Sequence, residues 1–261
     1  HRWSAFKESG IKKIAAVEWK KKPLDYEKSK IMLLLEAAEC NTSHGDRLSA
    51  KDKKRIARDI ASIDPECIWT ESALAEKLGV IRQTFNAWIS DIRARQKSSR
   101  NTVILRLSRL GWVHEKIAEV VGLSRNRISE IVGNANFGNI DTLLTQGHDM
   151  DYIARHYNMD LALAWALRLE GKTDQEKFKE LGWGLRTWDR WNFNECDERF
   201  GDDWPGRIPA QLVAHTFFYF TKPGHLVLDP MAGGGVVPDV CLVFGRKCLS
   251  FDLAPGDNRP E

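Results

Sequence analysis

No run of apolar residues in this 261-residue chain approaches the roughly 20 that a helix needs to cross a bilayer, so a membrane span is excluded as a starting point. No C-x-x-C pair occurs. The five cysteines (Cys40, Cys67, Cys196, Cys241, Cys248) form an odd set, which argues against both a disulfide framework and a zinc site; a reducing cytoplasm, bacterial or phage-encoded, is the expected setting. Neither a G-x-G-x-x-G fingerprint nor a G-x-x-x-x-G-K-[ST] loop is present, which disfavours NAD and P-loop nucleotides. No methionine stands at the first position. The chain opens on His1 and closes shortly after a strand-like segment, so a piece of a longer protein is expected, and no signal peptide can be read from it.

What is present is an ordinary globular composition, 43% apolar, with room for two or three small domains. The net charge of +3 is unevenly spread. From Ser49 to Gly133 there are 16 Lys and Arg against 10 Asp and Glu, a net +6; from Glu170 onward the count is 11 against 15, a net −4. A basic middle beside an acidic tail points to a polyanion at the middle.

Along the chain, His1 to Ser9 reads as the end of an amphipathic helix closed by Gly10, Lys13 to Trp19 as a strand, and Tyr26 to Ala38 as a helix with Ile31, Leu34 and Leu35 on one side. From Ser49 the pattern changes to helices of about ten residues joined by Gly-centred turns. Within it a motif recurs. Leu74-Ala75-x-x-Leu78-Gly79-Val80 precedes Phe85 and Trp88, and Ile117-Ala118-x-x-Val121-Gly122-Leu123 precedes Ile128 and Ile131 at the same offsets. A weaker third copy, Ile153-Ala154-x-x-Tyr157-Asn158-Met159 with Ala164 and Leu167, reads as structural packing.

Helix-turn-helix units produce this spacing for steric reasons. A small Ala lets two helices cross closely, Gly absorbs the positive φ of the turn, and the later apolar residues pin the second helix to the first. Early residues of that second helix would face the major groove. The first copy offers Arg82, Gln83 and Asn86; the second, opening on Ser124 as an N-cap, offers Arg125, Asn126 and Arg127. Arginine can bridge guanine, and Asn or Gln adenine. Arg93, Arg95, Lys97 and Arg100 are expected at phosphates. Further on, Trp165, Trp183, Trp188 and Trp191 are read as core or inter-domain aromatics, and His148 and His156 as structural.

The segment with the most chemistry begins at Leu226. Leu226-Val227-Leu228 reads as an apolar strand, Asp229-Pro230-Met231-Ala232-Gly233-Gly234-Gly235 as a glycine-rich turn, Val236 to Phe244 as a buried helix, and Cys248 to Phe251 as a second strand ending in Asp252. The order suits a nucleoside-bearing cofactor. Glycines allow close approach to backbone, and an acid at the second strand's tip can accept hydrogen bonds from ribose hydroxyls.

The run Asp229 to Gly235 resembles the D-P-F-x-G-x-G cofactor motif of DNA methyltransferases that modify adenine N6 or cytosine N4, with Met231 in place of the usual aromatic residue. Pro205-Gly206-Arg207-Ile208-Pro209-Ala210-Gln211, the helix to Phe220 and Thr221-Lys222-Pro223-Gly224 resemble the helical motif these enzymes place just before it. The resemblance covers roughly Asn192 to Leu253. It implies S-adenosylmethionine held by Asp229, Pro230, Met231, Ala232, Gly233, Gly235 and Asp252, no metal, and direct attack of a flipped base amine on the sulfonium methyl. The family's catalytic tetrapeptide, Asp/Asn/Ser-Pro-Pro-Tyr/Phe, does not occur in these residues, so the catalytic motif is expected outside them and the piece alone is expected to be inactive. At the other end, His1-Arg2-Trp3-Ser4-Ala5 with the following helix, Gly10 and strand resembles the close of a ParB-type domain, which implies a nucleotide phosphate near His1 and Arg2.

The expected fold is therefore multidomain, mostly α with α/β. A ParB-like remnant (1–45) is followed by a helix-turn-helix DNA-binding bundle (46–135) and a helical connector with a third helix-turn-helix-like unit (136–192). The incomplete start of a Rossmann-like S-adenosylmethionine-dependent methyltransferase domain (193–261) closes the chain. The expected partners are double-stranded DNA and a second copy of the chain as a homodimer. The alternative is a non-catalytic ParB-like partition or regulatory protein.

Overall fold

The computed structural model describes residues 30–36, 38, 48–63, 70–135, 140–253 and 259–261. The described structure is predominantly helical, with one two-stranded sheet, and the chain falls into two compact units, residues 1–94 and 95–261. That division cuts the expected DNA-binding bundle rather than flanking it. The readings over 1–29, including the strand at Lys13 to Trp19 and the phosphate site at His1 and Arg2, lie outside the described residues.

In the first unit, residues 30–36 are helical, in line with the apolar spacing there, and are followed by α1 (Ala50–Ile63) and α2 (Glu71–Lys77). Thr70 starts α2 by accepting a hydrogen bond from the Ala73 amide. The opening turns of α3 (Arg82–Arg109) complete the unit. Its core joins Ile31 and Leu35 to Ile56, Ile60, Leu74, Leu78, Phe85 and Ile89, so the apolar stripe of each helix faces the others. Arg58 on α1 locks α3 in place. It donates to the Trp88 carbonyl at 2.8 Å and makes a two-pronged bond to Asp91 at 2.6 and 2.7 Å.

The expectation of ten-residue helices fails at α3, which runs for 28 residues. No glycine or proline occurs between Arg82 and Leu110 to stop it. The Ser98-Ser99 pair does not break it either, because Ser98 donates to the Tyr157 carbonyl and Thr102 to the carbonyls of Ser99 and Asn158.

The second unit continues with α4 (His114–Val121), α5 (Arg125–Gly133), α6 (Ile140–Thr145), α7 (Met150–Tyr157), α8 (Leu161–Arg168), α9 (Asp174–Glu180) and α10 (Ala210–Phe220). It ends in β1 (Leu226–Asp229), α11 (Val236–Phe244) and β2 (Lys247–Ser250). The two strands are parallel, with Leu226 opposite Lys247 and Asp229 opposite Ser250. A parallel pair needs a crossover, and α11 supplies it. Cys248 is buried against α11, whereas Leu226, Leu228, Leu249 and Phe251 lie exposed on the other face. The two apolar strands are thus covered on one face only.

Arg246, fully buried, staples this end together. It makes a bidentate pair with Asp174 at 2.8 and 2.7 Å and donates to the carbonyls of Phe217 and Thr221. On the outer edge of β2, the Cys248 amide donates to the Leu110 carbonyl just past α3. Among the described residues no helix is long and apolar enough to cross a membrane.

Candidate functional site

The glycine-rich turn joins β1 to α11. Gly233 and Gly235 adopt φ of +49° and +79°, which favour glycine. Asp229, at the end of β1, accepts from the Met231 amide at 3.2 Å, and Asp252, just past β2, accepts from the Gly233 amide at 2.8 Å. Backbone bonds from Phe251 to Asp229 and from Ala232 to Phe251 close the turn against the second strand. The sequence-predicted residues Asp229, Pro230, Met231, Ala232, Gly233, Gly235 and Asp252 are therefore gathered at one end of the sheet. Burial, and after it the neighbouring Asp252, raise the Asp229 carboxyl above its ordinary value against the pull of the Met231 amide.

The chain itself occupies the sides of the turn that lack Cβ atoms. A Cβ on Gly234 would meet the Asp202 carbonyl at 2.8 Å, one on Gly233 the Trp204 indole at 3.1 Å, and one on Gly235 the Arg259 guanidinium at 2.7 Å. Asp202 also donates its amide to the Gly234 carbonyl at 2.7 Å. Packing within the protein thus accounts for the glycines. The strand tips are different: Met231 (83% exposed), Phe251 and Leu253 stand open to solvent, and Asp252 is half-buried.

Sequence reasoning missed the support behind the turn. Asp239, in the first turn of α11, accepts from the Gly201 amide at 2.7 Å and pairs with Arg106 at 2.6 Å and Arg259 at 2.7 Å. Burial pushes its carboxyl up, but the two guanidinium groups overcome this and hold it below the usual carboxylate range. A signal was available. A lone acid in the apolar run Val-Val-Pro-Asp-Val-Cys-Leu-Val-Phe requires buried cations to accompany it.

The three recurring motifs fold alike. Gly79, Gly122 and Asn158 take φ of +59°, +66° and +52°, and Ala75, Ala118 and Ala154 accept at 3.0, 3.2 and 2.9 Å from the amides of Val80, Leu123 and Met159. In the first copy Arg82 and Gln83 are exposed, with Glu71 3.8 Å from Arg82. Asn86 is half-buried and its side-chain oxygen has no donor, so it does not share that surface fully. Arg93 is half-buried and Arg95 exposed. In the second copy Arg125, Asn126 and Arg127 stand exposed at the start of α5. Ser124 caps that helix through the Arg127 amide. Arg125 pairs with Glu115 at 2.8 Å and Arg127 with Glu130 at 2.5 Å. In the third copy α8 is buried from Ala162 to Ala166, which leaves it no face for a groove.

Of the tryptophans, Trp165 and Trp183 are core residues. Trp188 is exposed beneath the Arg186 guanidinium, and Trp191 stacks on Tyr219.

No protein-family model, curated protein or solved structure matches the chain.

Proposed function

We propose that this chain reads duplex DNA through its first two helix-turn-helix units and carries the cofactor-binding half of an S-adenosylmethionine-dependent DNA methyltransferase acting on an exocyclic amine. One observation carries the cofactor half: a strand–turn–helix–strand unit whose tip sets Asp252 against the Gly233 amide, with Met231 and Phe251 exposed at the same strand ends. S-adenosylmethionine, when bound, supplies an electrophilic methyl group. Asp252 would accept from its ribose hydroxyls, and exposed Met231 and Phe251 would supply apolar surface for the base. The glycine faces, already covered by Asp202, Trp204 and Arg259, hold the turn in shape. Two exposed helix starts that carry Arg with Gln or Asn support the DNA half.

Calorimetry with S-adenosylmethionine tests the cofactor half. Asp252→Asn keeps an acceptor for the Gly233 amide but removes the charge, and it should weaken binding at least about tenfold, close to 1.4 kcal/mol. Equal affinity in wild type and variant would show that the ribose lies elsewhere. A wild-type chain that binds DNA but takes up no cofactor would favour the second reading, a non-catalytic ParB-like DNA-binding protein, for which the filled glycine faces speak.

A further inference from the structure

We infer that the cleft between α3, α5 and α7 takes a phosphodiester of the same duplex that α5 reads; this rests on the DNA-binding reading above. The cleft encloses about 360 Å³. Lys97 and Asn101 of α3, Arg127 and Glu130 of α5, Asn134 at that helix's end and His156 of α7 line it. Positions 127, 130 and 134 recur at helical spacing, so one flank of α5 faces the cleft while Arg125 and Asn126 stand beside it, exposed. A duplex in contact with Arg125 carries its sugar-phosphate strand along such a flank, where contacts position rather than specify.

The donors suit a phosphodiester. Lys97 is exposed and has no carboxylate partner among the described residues. Among the described residues the Arg127 guanidinium is held only by Glu130, in a pair 43% and 54% exposed, and such exposed pairs exchange partners at little cost. The Asn101 side-chain oxygen is buried without a donor, so its amide nitrogen, with two N–H groups, is what Asn101 offers to the cleft. His156 is kept at the cleft by Tyr152, ring centroids 5.9 Å apart, and by the edge contact with Tyr157 at 4.9 Å. Glu130 is the one opposing charge on these walls, and a bound phosphodiester would displace it from Arg127.

The test is fluorescence anisotropy of the full chain with a labelled mixed-sequence duplex over a salt series. Lys97→Gln should weaken binding about threefold. It should also reduce the slope of log affinity against log salt by about 0.9. Glu130→Gln should tighten binding about threefold, whereas a purely structural Arg127–Glu130 pair predicts a loss. Inorganic phosphate should compete no better than chloride at equal ionic strength; specific displacement by phosphate would make a free anion the ligand and overturn the duplex assignment. If Arg125→Ala weakens binding while Lys97→Gln leaves the slope unchanged, the cleft inference fails and the DNA reading stands. If the wild-type chain shows no salt-dependent binding, both fail.

Discussion

Asp229 and Asp239 are both buried in the same strand–turn–helix, yet their surroundings drive the two carboxyls in opposite directions. Asp239 faces Arg106 and Arg259, so its folded-state value is depressed. Its stabilisation is present above the ordinary carboxylate range and is lost as pH falls through the folded value. The Asp229 value is raised by burial and by Asp252 nearby, with no cation pair among the described residues; its contribution is present at low pH and is lost as pH rises through its folded value. Asp239→Asn should therefore destabilise the chain at neutral pH by about 3 kcal/mol, because the two guanidinium groups lose one of the two buried carboxylates they share, Glu261 remaining between them. Asp229→Asn, which keeps an acceptor for the Met231 amide, should stabilise it at neutral pH, and the gain should shrink on acidification. Urea denaturation at a series of pH values reads both signs. A loss of stability from Asp229→Asn at pH 7 would mean that a partner compensates its charge.

At the scale of elements, the two-stranded sheet is built unevenly. α11 covers Val227, Asp229 and Cys248, while Leu226, Leu228, Leu249 and Phe251 stand open on the other face. Parallel strands are usually covered on both sides, and their apolar runs reflect it. The sequence therefore showed that these strands are apolar but not which face is covered, since a fully apolar run carries no alternation to mark the inner side. α11 was legible from Val236 to Phe244 because a glycine in the left-handed region bounds it at each end. α3 was not. Its long polar middle lacks any stop residue, and its continuity depends on carbonyls of Tyr157 and Asn158, more than fifty positions away. The uneven sheet predicts an uneven response to substitution. Leu242→Ala, within α11 and 5% exposed, should cost about 2–5 kcal/mol on chemical denaturation. Leu228→Lys, on the open face, should cost no more than about 0.5 kcal/mol in the same measurement. A large loss from Leu228→Lys would mean that something covers this face in solution.

For the whole molecule, the chain carries two reader-like motifs, one opening at Arg82 and one at Arg125, in different compact units. The repeated Ala, Gly and apolar offsets made both turns legible, because sterics at the turn dictate residue type. What the offsets could not reveal is the neutralisation of Arg125 and Arg127 by Glu115 and Glu130, since those pairings depend on side-chain geometry and not on spacing alone. The glycine-rich turn shows the same division: its residues were legible, but the packing of Asp202, Trp204 and Arg259 against its glycines comes from segments whose sequence gives no sign of it. On the proposed DNA reading, two such motifs on one chain have a measurable consequence. Each contact with a phosphate adds about 0.9 to the steepness with which log affinity falls against log salt. A duplex long enough to engage both should therefore show a steeper slope than one trimmed to a single site, and its affinity should exceed that of either reader alone through effective concentration. Arg125→Ala should lower the affinity for the short duplex by the loss of its own contact, yet leave the long duplex bound through the first reader. If the slope does not change with duplex length, one motif alone meets DNA, and the other is a packing unit like α7 and α8.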